Sequence, residues 1–499
     1  MLQTRAEATS FRETSLHADV MAVLQALDQR GDPRFHLSAF GTSPQGRELP
    51  LVVLSTRGVR TPAQARAAGL PVVLMLDGIH PGEVEGKEAT LALLRDVLEG
   101  REGDWLDQLT LVVVPLFNPD GGDALDPANR KLDIAHLSGQ PGPLVGTRTQ
   151  SHGINLNRDY LRHEAPEMRL LQQRVCIPWA ADLTVDNHAT NGSVHRMSMT
   201  VDVPHTVHSG PPGPIALSRD RLVPDVIAAV ARRGIPSGWY GNFVEDERAL
   251  DAGSAADPRA RVGEGWMTYP HHPRFGSNYR GLTGRMDLLL ECYSYLSFEE
   301  RVRTASAWQI ETLAWVAAHG DDVRETVAAA RVPDRVAVGV PARGHRHARH
   351  HPHPRAEDAG GAPTEVTLPH LARFVGTEVV DRPRAYAVPP AVAEHLRGHG
   401  LQVRDAAGER VDAQVGRVEA LDTTAGRAIL EAGGTGRARV SWREEARAVP
   451  EGWAIVETDQ PLGAVAVYLC EPHSDDGLVE NRIVPPVAVG DDHPAWRVG

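Results

Sequence analysis

Histidine and carboxylate side chains follow two apolar runs of this chain that lie far apart in sequence. His80 and Glu83 stand in a turn rich in glycine and proline after Val72–Leu76, and His188 follows Leu183–Asn187. Two imidazoles and one carboxylate, with a fourth position left for water, form a ligand set of catalytic zinc. An H-x-x-E turn alone is equally typical of a surface His–Glu pair, and a lone histidine is more often structural. The hypothesis of a single zinc ion therefore depends on all three residues converging.

Glu291 directly follows another apolar run, Met286–Leu290. A carboxylate there would be partly desolvated, which is costly unless the charge is paired or used. Beside a metal-bound water, a glutamate can accept a proton, and desolvation raises its pKa toward a useful range. The alternative is a core glutamate in a salt bridge. A ligating imidazole also needs an acceptor for its second nitrogen, and Asp77 and Asn155 are both candidates.

Asn157 and Arg158 form a polar pair in the stretch between these motifs. A guanidinium is a planar fork that matches a carboxylate with two hydrogen bonds. At the closed end of a pocket, Arg158 would require a substrate that ends in a free carboxylate. The alternative is a surface arginine paired with its neighbour Asp159. A turn at Asn118–Gly121 follows a further apolar run and leads into a loop that contains Arg130.

The composition describes a globular chain with a large core and an excess of acidic residues. Of the 499 residues, 41% are hydrophobic and 23% are charged, and the formal net charge is -13. This charge argues against nucleic acid or an anionic membrane as the main partner. The longest apolar stretch, Leu109–Phe117, is too short to cross a bilayer. With no signal-like segment near Met1 and three scattered cysteines, we expect a cytoplasmic protein with reduced thiols.

Apolar runs alternate with amphipathic segments between residues 33 and 330. The runs are Leu49–Ser55, Val72–Leu76, Leu111–Leu116, Leu183–Asp186 and Met286–Leu290. Helical periodicity is found in Glu85–Leu98, Ala165–Arg174, Ile215–Arg232 and Phe298–His319. Continuous apolar runs are typical of strands that are buried on both faces. The alternation predicts an α/β fold in which helices cover both faces of a mixed, mainly parallel sheet, with functional residues beyond the carboxyl ends of its strands.

The chain changes character near residue 335, which predicts three parts: a domain 1–335 that carries the motifs, a linker 336–365 rich in His, Pro and Gly, and a β-rich accessory domain 366–499. The accessory domain contains strand-like pieces at Arg437–Trp442, Trp453–Glu457 and Ala464–Leu469. Five histidines lie in the linker, at 345, 347, 350, 351 and 353. A solvated polar loop is the expected interpretation, and a metal-binding tract is the alternative.

Taken together and in this order, the motifs resemble those of the zinc carboxypeptidase family typified by carboxypeptidase A. The similarity covers roughly residues 40 to 320 and is greatest to uncharacterised bacterial members with a C-terminal accessory domain. The phrases that carry it are Asp186–Gly192, Pro273–Tyr279 and the stretch from Glu291 to Val302. The resemblance implies that His80, Glu83 and His188 bind zinc, that Glu291 is the general base and then the general acid, and that Asn157 and Arg158 hold the terminal carboxylate.

Three positions depart from the family pattern. The arginine that stabilises the oxyanion usually comes slightly later than Arg130, about where Asp133 stands, so Arg130 is a candidate for this role. Asn155 replaces the aspartate that often supports the first histidine. The tyrosine that caps the substrate is ambiguous between Tyr269 and Tyr279.

The function predicted from these residues is hydrolysis of the amide bond next to a free C-terminal carboxylate of a peptide. A zinc amidase for N-acyl amino acids or for peptidoglycan-type peptides is the first alternative, since the same residues would serve it. A non-catalytic binding protein on this scaffold is the second alternative, and intact ligand and base positions speak against it. The sequence leaves the side-chain preference and the oligomeric state open.

Overall fold

The computed structural model describes residues 2–130, 142–190, 193, 195–243, 265–339, 347–355, 364–422 and 436–499. The strands of these residues, numbered in chain order, are β1 Phe35–Thr42, β2 Glu48–Leu54, β3 Val72–Leu76, β4 Thr110–Val114, β5 Leu183–Ala189, β6 Met199–Asp202, β7 Ser237–Trp239, β8 Asn242–Phe243, β9 Trp266–Met267, β10 Met286–Cys292, β11 Arg335–Gly339, β12 His347–Arg355, β13 Thr364–Leu371, β14 Glu378–Asp381, β15 Ala385–Val388, β16 Val403–Asp405, β17 Arg410–Asp422, β18 Arg437–Ala448, β19 Ala454–Glu457 and β20 Trp496–Val498.

The α-helices are Arg5–Ala8, His17–Asp28, Pro62–Ala68, Glu85–Leu98, Pro119–Asp123, Pro166–Leu170, Ile177–Trp179, Pro212–Leu217, Val223–Arg232, Gly276–Leu282, Phe298–Ala318, Gly320–Ala328, Pro390–Gly398 and Gly463–Cys470. Two 3-10 helices, Asp104–Gln108 and Leu156–Arg158, and two π turns, Leu171–Cys176 and Ser218–Leu222, complete the set. Each π turn continues a predicted helix and precedes a proline, Pro178 or Pro224. A proline has no N–H to donate, so the regular hydrogen-bond ladder is interrupted there.

An eight-stranded sheet in the order β1-β2-β4-β3-β5-β10-β6-β7 forms the centre of the first part of the chain. Its four middle strands, β4-β3-β5-β10, run parallel, and antiparallel pairs join β1 to β2, β2 to β4 and β10 to β6. Val72–Leu76 is the strand that the apolar run predicted, because both of its faces are covered. The predicted mixed α/β fold is confirmed.

Apolar side chains fill both faces of this sheet. On one face, Val73, Met75 and Leu111 belong to a cluster that includes residues of the helices Glu85–Leu98 and Val223–Arg232. On the other face, Leu74, Leu76 and Val112 belong to a second cluster. Alternate residues of one strand therefore serve opposite layers, as the pleat requires.

The second cluster continues into the C-terminal part of the chain. It includes Tyr386, Leu396 and the helix Gly463–Cys470 in addition to residues of β3 and β4. A further sheet in the order β16-β19-β15-β20-β17-β18 confirms that this part is rich in strands. The predicted strand Ala464–Leu469 is wrong, because these residues are helical. They are also fully buried, and a short apolar run without alternation fits a buried helix as well as a buried strand.

Part of the predicted linker is a strand. β12 pairs antiparallel with β13, and β13 continues the pairing to β9. The interpretation as an unstructured loop overlooked this pairing because backbone hydrogen bonds need no apolar pattern in the side chains. Residues 340–346 and 356–363 of the linker lie outside the described residues.

A search for membrane-crossing helices finds none in the described part of the chain that combines sufficient length with sufficient apolar character.

Gly86 is expected to be required for close packing of the helix Glu85–Leu98 on β5. A Cβ atom at this position would lie 2.4 Å from Asn187 Cβ and 2.9 Å from Asp77 Oδ1. Gly86→Ala should therefore lower the free energy of unfolding, measured by urea denaturation, by about 1–3 kcal/mol.

Gly213→Ala is the matched control, since it also lies in a helix and its Cβ would meet Thr326 Cγ2 at 3.6 Å, an ordinary contact. Its stability should be unchanged or higher by up to about 1 kcal/mol. Equal losses in the two variants would contradict this account of the packing.

Candidate metal centre and active site

His80, Glu83 and His188 converge at the carboxyl ends of β3 and β5. His80 Nδ1 lies 3.2 Å from Glu83 Oε1, and His188 Nδ1 lies 2.8 Å from Glu83 Oε2. The ligand-capable atoms of the three buried residues all lie within 4.8 Å of one another. Tetrahedral zinc with bonds of about 2.0–2.2 Å separates neighbouring ligand atoms by about 3.3 Å. The spacing and the donor types, two nitrogens and one oxygen, both fit this ion.

The turn that carries His80 is shaped by the strand ends around it. Asp77 N–H donates to Val114 O and Phe117 N–H donates to Asp77 O, so that β3 and β4 stay paired up to the turn. Gly78 has φ +72°, and a Cβ there would lie 3.0 Å from Leu116 Cδ1. A glycine is therefore required for the chain to reverse into His80. Glu83 N–H donates to His80 O at 2.9 Å and closes the turn.

Each imidazole has an acceptor for its second nitrogen. His80 Nε2 donates to Asn155 Oδ1 at 3.0 Å, and His188 Nε2 lies 3.0 Å from Asp186 Oδ1. Of the two candidates from the sequence, Asn155 has this role for His80. Asp77 shows no hydrogen bond to either ring among the described residues, and burial raises its pKa to about 8, so that its carboxyl group is neutral.

The charges in and around the cluster of His80, Glu83 and His188 favour a cation near Glu83. Burial lowers the pKa of His80 to about 4, so this ring is in the neutral form that binds metals. Burial opposes ionisation of Glu83, yet His80 and His188 hold its pKa well below the ordinary value. Burial likewise opposes a charge on His188, but Asp186 and Glu83 raise its pKa well above the ordinary value. A cation, whether a proton or a metal ion, is thus stabilised here.

Glu291 lies on β10 directly opposite His188 on β5. Burial, reinforced by Glu83 and opposed by His188, raises its pKa to about 8. Among the described residues, its carboxylate forms no ion pair or hydrogen bond, which speaks against the alternative of a core salt bridge. The carboxylate is partly exposed and stands beside the cluster.

Asn157 and Arg158 lie in the 3-10 helix Leu156–Arg158. Asn157 Oδ1 accepts from Gly276 N–H at 2.8 Å, and Asn157 Nδ2 lies 3.5 Å from His188 Nε2. The Arg158 guanidinium stacks on Phe275, with 3.8 Å from Cζ to the ring centroid. Its neighbour Asp159 accepts from the backbone N–H groups of 164 and 165 in the loop before the next helix. The pair of residues therefore borders the cluster on one side.

Arg130 lies on another side of the cluster. Its Nη2 donates to Ala189 O at 2.9 Å and to Ser294 Oγ at 2.8 Å, and its Nη1 lies 3.3 Å from Glu83 Oε1. Asp133, the competing position, lies outside the described residues. The structure thus brings Arg130 together with the residues that the sequence selected.

Tyr269 and Tyr279 are not brought to the cluster, because both hydroxyl groups are bonded elsewhere. Tyr269 Oη donates to Val203 O at 3.0 Å. Tyr279 Oη is 2.8 Å from His399 Nδ1, and its ring is buried in the hydrophobic cluster shared with the C-terminal part.

Two residues near the cluster were missed from the sequence. Arg148 Nη1 lies 3.2 Å from His80 Nδ1 and 3.5 Å from Glu83 Oε1, and its side chain is 40% exposed. Tyr240 follows β7, and burial together with the carboxylates of Glu291 and Glu83 raises its pKa. Both residues stand in loops without a recognisable motif, so no signal in their spacing marks them.

The segment after β9 connects this site to the C-terminal part of the chain. Arg274 is completely buried, and its backbone N–H and its Nε each donate to Asp476 at 2.8 Å. Phe275 and Gly276 follow immediately and contact Arg158 and Asn157. The position of the Asn157–Arg158 pair is therefore coupled to a carboxylate that lies far along the chain.

Comparison with known proteins identifies one sequence family and several solved structures. Residues 20–176 match the family described as zinc carboxypeptidase. No curated protein matches the chain. A metallo-carboxypeptidase from Burkholderia cenocepacia has 18% identity and a TM-score of 0.41, over 60% of this chain and 68% of that chain.

Two further structures have a similar degree of likeness. A Pseudomonas aeruginosa metallo-carboxypeptidase in complex with (2-guanidinoethylmercapto)succinic acid has 20% identity and a TM-score of 0.39, over 62% of this chain and 69% of that chain. Carboxypeptidase A from Helicoverpa armigera has 16% identity and a TM-score of 0.41, over 64% and 75%.

The matched family segment contains His80, Glu83, Asn157 and Arg158 and ends before His188 and Glu291. Over residues 20–176 the sequence matches the zinc carboxypeptidase family, which confirms the resemblance predicted from the motifs for this part of the chain.

Proposed function

We propose that this protein is a metallocarboxypeptidase that uses one zinc ion to hydrolyse the amide bond next to a free C-terminal carboxylate of a peptide. The observation that carries the proposal is the register between β5 and β10, which sets Glu291 opposite His188. A proposed zinc ligand and a carboxylate that forms no ion pair with any described residue thereby share one rim of the sheet. We assign the reaction to residues 1–335 and treat 366–499 as an accessory domain that braces the segment after β9.

His80, Glu83 and His188 would hold the zinc ion, with Asn155 and Asp186 fixing the two rings. When bound, zinc supplies Lewis-acid chemistry, which polarises the scissile carbonyl and acidifies a water molecule. Glu291 accepts a proton from the attacking water and then delivers it to the nitrogen of the leaving amine. Its raised pKa suits both transfers, since the group must be able to gain and lose a proton near neutral pH.

Arginine side chains supply the charge that the substrate needs. Arg130 Nη1 stands beside Glu83 and is placed to donate to the carbonyl oxygen as negative charge develops on it. The Arg158 guanidinium would bind the terminal carboxylate. Asn157 Nδ2 would also donate to that carboxylate, because the amide oxygen of Asn157 already accepts from Gly276 N–H. Binding the terminal carboxylate at these two residues would orient the scissile bond. We leave Tyr269 and Tyr279 out of the mechanism because their hydroxyls are bonded elsewhere.

Glu291→Gln should remove the proton acceptor and leave the ligands intact. We expect the turnover of peptides to fall about 100- to 10,000-fold, while zinc content measured by elemental analysis stays the same. Glu451→Gln, at an exposed turn, is the matched control and should keep full activity. Wild-type turnover in Glu291→Gln would remove Glu291 from its proposed role.

Arg158→Lys should keep a positive charge and lose the bidentate fork. We expect KM for peptides with a free carboxylate to rise about 10- to 100-fold, because hydrogen bonds to charged groups are worth about 1.5–3 kcal/mol. Peptides with an amidated C-terminus and short N-acyl amino acids complete the substrate panel. Arg162→Lys, whose side chain pairs with Glu164, is the control. If Arg158→Lys keeps the wild-type preference for acids over amides, another group binds the carboxylate.

Asn155 should set the affinity for zinc through His80. Asn155→Ala removes the acceptor from Nε2 and is expected to weaken zinc binding about 10- to 100-fold. Asn155→Asp places a charged acceptor at the same position and should strengthen binding, since the ring becomes more basic. Competition with a chelator at neutral pH measures both constants. Equal affinities in all three proteins would show that this hydrogen bond does not tune the site.

A further inference from the structure

A second group of potential metal ligands lies outside the proposed active site. The ligand-capable atoms of His271, His272 and Asp475 all lie within 4.8 Å of one another. His271 and Asp475 are 3% and 7% exposed, and His272 is partly exposed. The two histidines belong to the segment after β9, and Asp475 belongs to the C-terminal part, 204 positions along the chain from His271.

Hydrogen bonds within the group leave part of it unsatisfied. His271 Nε2 lies 2.7 Å from Asp475 Oδ2, and Asp475 Oδ1 accepts from Tyr468 Oη at 2.7 Å. The two imidazole rings are stacked, with centroids 4.4 Å apart. His272 Nδ1 is buried and has no hydrogen-bond partner among the described residues. A buried nitrogen without a partner costs about 1–3 kcal/mol, so an unused one is a candidate ligand.

The charges around the group leave room for a divalent cation. Asp475, Asp476 and Glu480 are buried carboxylates, and Arg274 is the guanidinium that pairs with Asp476 and approaches Glu480 at 3.7 Å. Among these described groups, three carboxylates therefore face one guanidinium. Buried carboxylates are costly unless cations compensate them.

We propose that His271, His272 and Asp475 bind a second divalent metal ion, which ties the segment after β9 to the C-terminal part of the chain. Two imidazoles and a carboxylate favour zinc over magnesium or calcium, which prefer oxygen ligands. A zinc ion would replace the hydrogen bond between His271 and Asp475 and widen their 2.7 Å separation to about 3.3 Å.

The place of this site suggests what it does. Only one residue separates His272 from Arg274, which donates to Asp476. Phe275 and Gly276 follow Arg274 directly. An ion at His271–His272 would therefore fix the start of the segment that supports Arg158 and Asn157. The proposed ion is a structural one, and it goes beyond the proposed carboxypeptidase reaction.

Zinc stoichiometry tests the proposal. The five histidines of the linker could bind zinc themselves, so the parent protein carries serine at 345, 347, 350, 351 and 353. After removal of metal with a chelator and dialysis against zinc, we expect two zinc ions per chain in this parent. His272→Ala should retain one, and His80→Ala should also retain one. One zinc ion in both the parent and His272→Ala would overturn the proposal.

A second variant guards against misfolding. Asp475→Asn keeps the size of the side chain and its hydrogen bond to Tyr468 but makes the side chain a weaker metal ligand. This variant should therefore also retain one zinc ion. Its far-ultraviolet circular dichroism spectrum should be unchanged. Two zinc ions in both folded variants would overturn the proposal. The two hypotheses fail differently: full zinc content in His80→Ala would remove the proposed catalytic centre, whereas full content in His272→Ala would remove the second site.

Discussion

Parallel pairing of the four central strands is the constraint on which the site depends. Leu76 of β3 is level with Asp186 of β5, and His188 of β5 is level with Glu291 of β10. Residues far apart in sequence thereby leave the sheet at the same edge. A shift of one residue would turn Glu291 to the opposite face, because side chains alternate along a strand. Strands with apolar residues on both faces resist such a shift, since two hydrophobic clusters would be disturbed at once.

Buried charges behind the metal ligands impose a second constraint. Arg280 donates to both Asp186 and Asp287 and bonds Tyr160 Oη at 2.9 Å. Burial opposes ionisation of Asp186, yet His188 and Arg280 lower its pKa to about 2, so that it remains a charged acceptor for His188. Asp77, without such a partner, is neutral. Removing one member of a buried ionic network leaves an uncompensated charge, so the network holds the imidazole and the fold together.

The sequence predicts the strands and the motif residues better than it predicts the residues that loops bring to the site. Val72–Leu76 and Glu85–Leu98 were predicted with their correct bounds, because periodicity and burial agree there. The motif residues were found because strand ends and ligand types point to one chemistry. Arg148 and Tyr240 were missed, since loop residues carry no periodic signal and are placed by contacts distant in sequence. The ambiguity between Tyr269 and Tyr279 arose for the same reason: the hydroxyl partners Val203 and His399 cannot be read from local spacing.

The hydrophobic cluster that joins β3 and β4 to Tyr386, Leu396 and the helix Gly463–Cys470 has a consequence for biosynthesis. Proteins are made from the N-terminus, and a domain generally folds once its residues have left the ribosome. Here part of the covering of one face of the central sheet comes from residues that are translated only after some four hundred others. The nascent chain must therefore carry apolar residues that lack their final partners until the last part is made, which is a period when chaperones would be expected to hold it.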